Sequence, residues 1–250
     1  MNKDRGLMTI KQRAIVLLCM AILSCNTSKK ETSIAVEETY ADINMVGAMK
    51  NVMWKNELGS IKDIDTIPDR EGLYGLGPES YLTGELLINN GISYVSKVTS
   101  DTTMSVEKRF DVSAPFFVYA KVTAWKTIKL PSHITTIQDL EDFIEAQTNH
   151  FKRPFAFKVT GRINSASIHI QNLPEGTKVT SPDEAHQGQV SYNINNQDVE
   201  IVGFFSTEHK GIFTHPDTFL HMHLITSDER SMGHLDTLFI GTMQLYLPIK

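Results

Sequence analysis

From residue 72 onward the chain reads as short apolar segments interrupted by Gly, Pro, Asn and Asp, a pattern of strands and turns. Glu85-Leu86-Leu87-Ile88 and Ile92-Ser93-Tyr94-Val95 flank Asn89-Asn90-Gly91. Asn-Gly adopts the positive φ angles that a tight hairpin turn needs, so this stretch predicts a β-hairpin. Further strands are predicted over residues 116–122, 155–159, 163–170, 199–205, 219–226, 234–240 and 243–247. Pro174, Gly176, Pro182 and Gly188 mark a long surface loop. Two helices are predicted. Between Tyr40 and Trp54, Ile43, Met45, Val46, Met49, Val52 and Met53 recur mostly at helical spacing. Thr136 and Asp139 form a capping-box pattern, opening a helix that buries Ile137, Leu140, Phe143 and Ile144 and ends near His150. Strands dominate, which predicts an α+β fold with largely antiparallel sheets and few helices.

The first residues follow another pattern. Lys11 and Arg13 precede a ten-residue apolar run, 14–23, and Ser24-Cys25 follow it. A basic start, a short apolar core and a small residue describe a secretion signal, and the run is too short to span a bilayer comfortably. Ile22-Leu23-Ser24-Cys25 resembles a bacterial lipobox, in which the cysteine carries lipid; a plain secretory signal cut nearby is the alternative. The expected organisation is a signal over 1–24, a polar tether over 25–38 and one domain over 39–250, exported to the cell envelope and anchored through Cys25. Cys19 and Cys25 are the only cysteines, so the mature body has no disulfide. Any metal it binds must be held by His, Asp or Glu. The net charge is -5 and the basic residues are scattered, which gives no footprint for nucleic acid.

The candidate chemistry lies near the C-terminal end. In the strand 219–226, alternation places His221 and His223 on one face. The turn Ser227-Asp228-Glu229-Arg230 leads back through Ser231-Met232-Gly233 to His234. If Thr226 pairs with Ser231, His223 faces His234, with Cβ atoms about 4.5–5.5 Å apart. Three imidazoles then converge on one point, a donor set suited to a divalent metal such as zinc. Three neutral ligands leave positions open for water or substrate, as in catalytic sites. The bland reading is a set of hydrogen-bonded structural histidines. His133, His150, His186, His209 and His215 fall in predicted loops or helix ends and are expected to be solvated.

With these residues in view, the chain resembles the bacterial α-acetolactate decarboxylases over most of 45–250. The motifs are Gly72-Leu73-Tyr74-Gly75-Leu76-Gly77, then Leu82-Thr83-Gly84-Glu85-Leu86, Pro154-Phe155-Ala156-Phe157-Lys158-Val159-Thr160-Gly161, Val202-Gly203-Phe204 and the histidine hairpin. The resemblance implies a fold of two closely packed subdomains, commonly a homodimer, that converts acetolactate to acetoin and CO2. It implies His221, His223 and His234 as Zn2+ ligands and Glu85 as the active-site glutamate that donates or positions a proton; a solvated glutamate beside a hairpin is the alternative for Glu85.

This sequence departs from the family pattern at three places. His169 stands where the family has a substrate-facing arginine. A protonated histidine can bind a carboxylate, though as a weaker anchor than a bidentate arginine. His169 equally reads as a partly buried strand residue. Pro78 replaces a threonine usual in the glycine-rich segment. The family's C-terminal tail returns a second glutamate to the site, whereas here the sequence reads Leu247-Pro248-Ile249-Lys250. The expectation is therefore an acetolactate decarboxylase. The alternatives are a decarboxylase or lyase for a related hydroxy-keto acid, or a non-catalytic zinc-binding envelope lipoprotein. A zinc hydrolase ranks below these, because the chain has no His-Glu-x-x-His motif.

Overall fold

Two six-stranded sheets, stacked so that each covers an apolar face of the other, form the body of this computed structural model, which describes residues 42–249. The predicted signal, Cys25 and the tether lie outside the described residues.

Along the chain the elements begin with β1 (Asn44–Val46), α1 (Met49–Lys55), β2 (Lys62–Asp63), β3 (Leu73–Pro78), β4 (Glu85–Asn89), β5 (Ile92–Ser100), β6 (Thr103–Lys108), β7 (Ser113–Ala114) and β8 (Phe117–Lys121). They continue with β9 (Trp125–Lys129), α2 (Ile137–Gln147), β10 (Phe155–Ile170), α3 (Pro182–Ala185), β11 (Val190–Asn195), β12 (Asp198–Phe205), β13 (Leu220–Thr226) and β14 (Met232–Pro248). The first sheet has the order β1-β8-β3-β4-β5-β6 and the second β11-β10-β12-β13-β14-β9, with β10 also pairing β14. Pairings between these strands are antiparallel, as an α+β fold with few helices requires.

The Asn-Gly hairpin forms as predicted. Asn89 pairs with Ile92, and Asn90 (φ 48°) and Gly91 (φ 82°) make the turn. The α2 capping box also forms: the Asp139 amide donates to the Thr136 hydroxyl at 3.2 Å and the Thr136 amide to the Asp139 carboxylate at 2.9 Å. Leu140 and Ile144 of α2 enter the large core on the outer face of the second sheet, beside Phe155, Phe157 and Phe205. Each fully buried phenyl ring contributes roughly 1.5–3 kcal/mol. Between the sheets, Tyr74, Leu76 and Leu87 meet Ala156, Val202 and Phe204.

Three expectations need correction. The helix predicted between Tyr40 and Trp54 begins only at Met49, because Asn44–Val46 pair with β8 and Gly47 turns the chain at φ 69°. The first amides of α1 are then met from outside, Met49 donating to the Ile212 carbonyl and Lys50 to that of Gly211. The strands predicted at 155–159 and 163–170 are one strand, β10, whose register shifts absorb the irregularity as bulges. Likewise 234–240 and 243–247 belong to the continuous β14. β6, β9 and β11 were not predicted. Their polar residues face solvent along strands at or near the sheet edges, so apolar alternation is weak.

Candidate metal centre

Strand β13 has two chemically distinct faces. Leu220, Met222 and Leu224 enter the core shared with α2, while His221 and His223 look the other way, toward the first sheet. Glu141 of α2 fixes where the strand begins: its buried carboxylate accepts from the Phe219 amide at 2.8 Å and from the Thr218 hydroxyl. At the far end the Thr226 amide donates to the Ser231 carbonyl at 2.9 Å, closing the turn 227–230. The register that follows is the one expected from the sequence, with His223 opposite His234.

The three imidazoles therefore meet. Their ring centroids lie 5.1–5.5 Å apart, and each offers a donor atom within 4.8 Å of the other two. His221 and His223 are 2% and 0% exposed, and His234 is 9% exposed. Burial pushes all three below the ordinary imidazole range, neighbouring imidazoles add to the effect, and for His223 the result is about 3. The backbone at Phe213 and at Leu86 works weakly in the opposite direction on His221 and His223. All three rings are thus neutral, the form that binds metal. His221 Nδ1 and both nitrogens of His223 are buried without a hydrogen-bond partner. Orphaned polar atoms of this kind are costly unless something else satisfies them. A divalent cation fits that requirement.

Glu85 comes from the first sheet. It opens β4 opposite Pro78, and the residue is 2% exposed. One oxygen accepts from the Gln171 amide at 3.3 Å, and the other lies 3.6 Å from His223 Nε2. That separation is too long for a hydrogen bond, and with both groups pushed toward neutrality the contact is not an ion pair. Burial raises the Glu85 carboxyl well above its usual range, the Gln171 amide partly opposes this, and Asp236 reinforces it.

His169 pairs with His234 across β10 and β14, their ring centroids 4.6 Å apart. Its Nδ1 lies 2.6 Å from the Asp236 carboxylate. Asp236 was not singled out in the sequence, although alternation along β14 places it, two residues after His234, on the same face. A bulge there, with Ser167 paired to Thr237 and Ile168 to Leu235, leaves Asp236 without a cross-strand partner.

The expectation that His186 and His215 are merely solvated is corrected in part. His215 is half-buried, with its ring 5.1 Å from that of His234, and both residues line the small cavity around the three histidines. The loop after β12 delivers His215. Ser206 bonds His209 at 2.7 Å, and Phe213 packs into the inter-sheet core just before it. That cavity holds about 30 Å3, and Glu85, His169 and Phe116 also face it. No arginine or lysine among the described residues lines it. A cleft of about 350 Å3 shares His215 and His234 with it and adds Asp236 and Glu141.

The sequence profile of the alpha-acetolactate decarboxylase family matches residues 61–248. Among solved structures, acetolactate decarboxylase from Bacillus subtilis subspecies spizizenii is similar at 22% identity, with a TM-score of 0.70 over 83% of this chain and 86% of that one. The alpha-acetolactate decarboxylase of Bacillus subtilis strain 168 gives 22% identity and a TM-score of 0.69, over 83% and 85%. A Staphylococcus aureus protein of unknown function, described as similar to alpha-acetolactate decarboxylase, gives 16% identity and a TM-score of 0.70, over 83% and 85%. These likenesses establish a shared fold. The curated proteins contain no match to this chain.

Proposed function

We propose, because the chain belongs to the alpha-acetolactate decarboxylase family, that it is a carboxy-lyase converting 2-acetolactate to acetoin and CO2 at His221, His223, His234 and Glu85. The observation that carries this reading is the trio of buried, neutral imidazoles with unpartnered nitrogens. Zn2+ is the cation we assign to them, and when bound it would supply Lewis acidity where negative charge develops on the substrate's oxygens.

The chain's own groups account for the remaining steps. Departure of CO2 leaves its electron pair on the substrate carbon, which must then be protonated. Burial favours the protonated form of the Glu85 carboxyl, which lies beside His223, so the group is suited to deliver a proton and recover one from water. Met49, Met53, Leu82 and Phe116 form an apolar wall of the cavity and limit water around the reacting carbon. His169, held by Asp236, is assigned to the substrate's carboxylate end.

The test is acetoin formation by the purified protein. It should be abolished by a chelator, restored by Zn2+ and absent from His221→Ala; a metal-loaded protein that forms no acetoin would overturn the assignment. His169 and Pro78 favour a second reading, a related hydroxy-keto acid as substrate, which CO2 release across a panel of such acids would identify. Export with lipid on Cys25 belongs to the same proposal, and palmitate labelling lost in Cys25→Ala would support it. So does a homodimeric state, measured by light scattering.

A further inference from the structure

We propose that His169, Asp236 and His234 form a second divalent-cation site directly beside the three-histidine centre. Each residue offers one donor atom, and the three atoms lie within 4.8 Å of one another. Two imidazoles and a carboxylate are a common donor set for Zn2+ and similar ions. The backbone builds this arrangement in two ways. Pairing of β10 with β14 sets His169 opposite His234, and alternation along β14 puts Asp236, two residues on, on the same face, with its carboxylate at His169.

His234 belongs to both donor sets. Serving two cations at once requires His234 to release its remaining N–H proton to solvent on metal binding, so that each ring nitrogen offers a lone pair to one ion.

The role of the second cation follows from charge, and this part alone rests on the decarboxylase reading. The substrate is an anion, yet the cavity has no arginine or lysine among the described residues, and Asp236 adds a negative charge at its edge. A carboxylate approaching Asp236 is repelled. A divalent ion bound by His169 and Asp236 reverses the local sign and gives the substrate's carboxylate a cation to face.

The experiment uses the full chain, stripped of metal and dialysed against increasing Zn2+, with bound metal measured by elemental analysis. Wild type is expected to take up two equivalents. Asp236→Asn and His169→Gln should each take up one, the second affinity falling by about 100-fold or more, since even outer-sphere changes cost about 10–100-fold. Asp236 is partly exposed, so Asp236→Asn should fold, which circular dichroism would verify. Loading with Co2+ provides an independent readout, because two adjacent ions perturb each other's electron paramagnetic resonance and a lone ion does not. Saturation of the wild type at one equivalent overturns the proposal. Two equivalents retained in both variants also overturn it, because the second ion then lies elsewhere. Acetoin assays on the same samples separate the two claims. Two equivalents without acetoin leave the site standing and remove the decarboxylase reading, whereas one equivalent with acetoin does the reverse.

Discussion

His223→Leu should make the metal-free protein more stable while destroying its capacity to bind metal. In the folded chain His223 is fully buried, and neither ring nitrogen has a hydrogen-bond partner. Leaving a buried polar group unsatisfied costs about 1–3 kcal/mol, and a neutral imidazole carries one donor and one acceptor. Replacing the ring with an apolar side chain of similar size removes both penalties, at a cost of roughly 1 kcal/mol for imperfect fit. With each penalty at its lower end, because the Leu86 backbone lies near the ring, the expected net gain is about 1 kcal/mol, or about 2–4 °C in melting temperature for a protein of this length. The assay is urea unfolding at pH 7.5 with a chelator present, read by circular dichroism. With Zn2+ the order should reverse, because a ligand at about 1,000 times its Kd adds about 4.1 kcal/mol to the wild type alone. A chelated His223→Leu protein that is less stable than wild type by 1 kcal/mol or more would show that the imidazole is satisfied without a cation, and the reasoning would fail.

The other predictions concern protons, catalysis and packing. In the metal-free protein, His221, His223 and His234 have folded values depressed below the ordinary 6.5. The unfolded chain therefore binds more protons, and stability falls as pH drops below about 6.5, continuing toward about 3 for His223, by up to about 1.4 kcal/mol per pH unit for each histidine. Glu85, raised above 4.5, opposes this trend by favouring the fold at lower pH, and urea midpoints between pH 5 and 7 should show a net positive slope; a flat profile would contradict it. Glu85→Gln keeps an acceptor for the Gln171 amide but loses the transferable proton, so kcat should fall by about 100- to 10,000-fold with the fold intact, and an unchanged kcat would remove Glu85 from the chemistry. Gly203 faces Phe157 across β10 and β12, where an added Cβ would lie 2.3 Å from the ring. Gly203→Ala should therefore cost about 1–3 kcal/mol, seen as a lower melting temperature, and an unchanged melt would contradict the packing described.

The convergence of the three histidines was legible because it depends on two local rules, alternation along a strand and register across a short turn. Those rules are enough to bring His221, His223 and His234 together from sequence. Glu85 and His169 could be picked out only through family resemblance, since one lies on the opposite sheet and the other on a strand more than fifty residues before the hairpin. Asp236 was overlooked, although it sits two residues after His234 and alternation already places it on the same face; only its contact with His169 on β10 marks it out, and that needs the fold. His215 was missed for a related reason: a loop places it, through the Ser206–His209 bond and the burial of Phe213. The helix predicted between Tyr40 and Trp54 failed where Met45 and Val46 matched a helical period yet were recruited as an edge strand by β8, a tertiary pairing that overrides local preference.

The central claim is that three imidazoles from one hairpin grip a divalent cation, and a crystal structure of the Zn2+-loaded protein with anomalous diffraction at the zinc edge tests it most directly. The account predicts an anomalous peak bonded to His221, His223 and His234 at about 2.0–2.1 Å from each nitrogen. A loaded crystal with no peak among these three side chains, whatever else it contained, would contradict it.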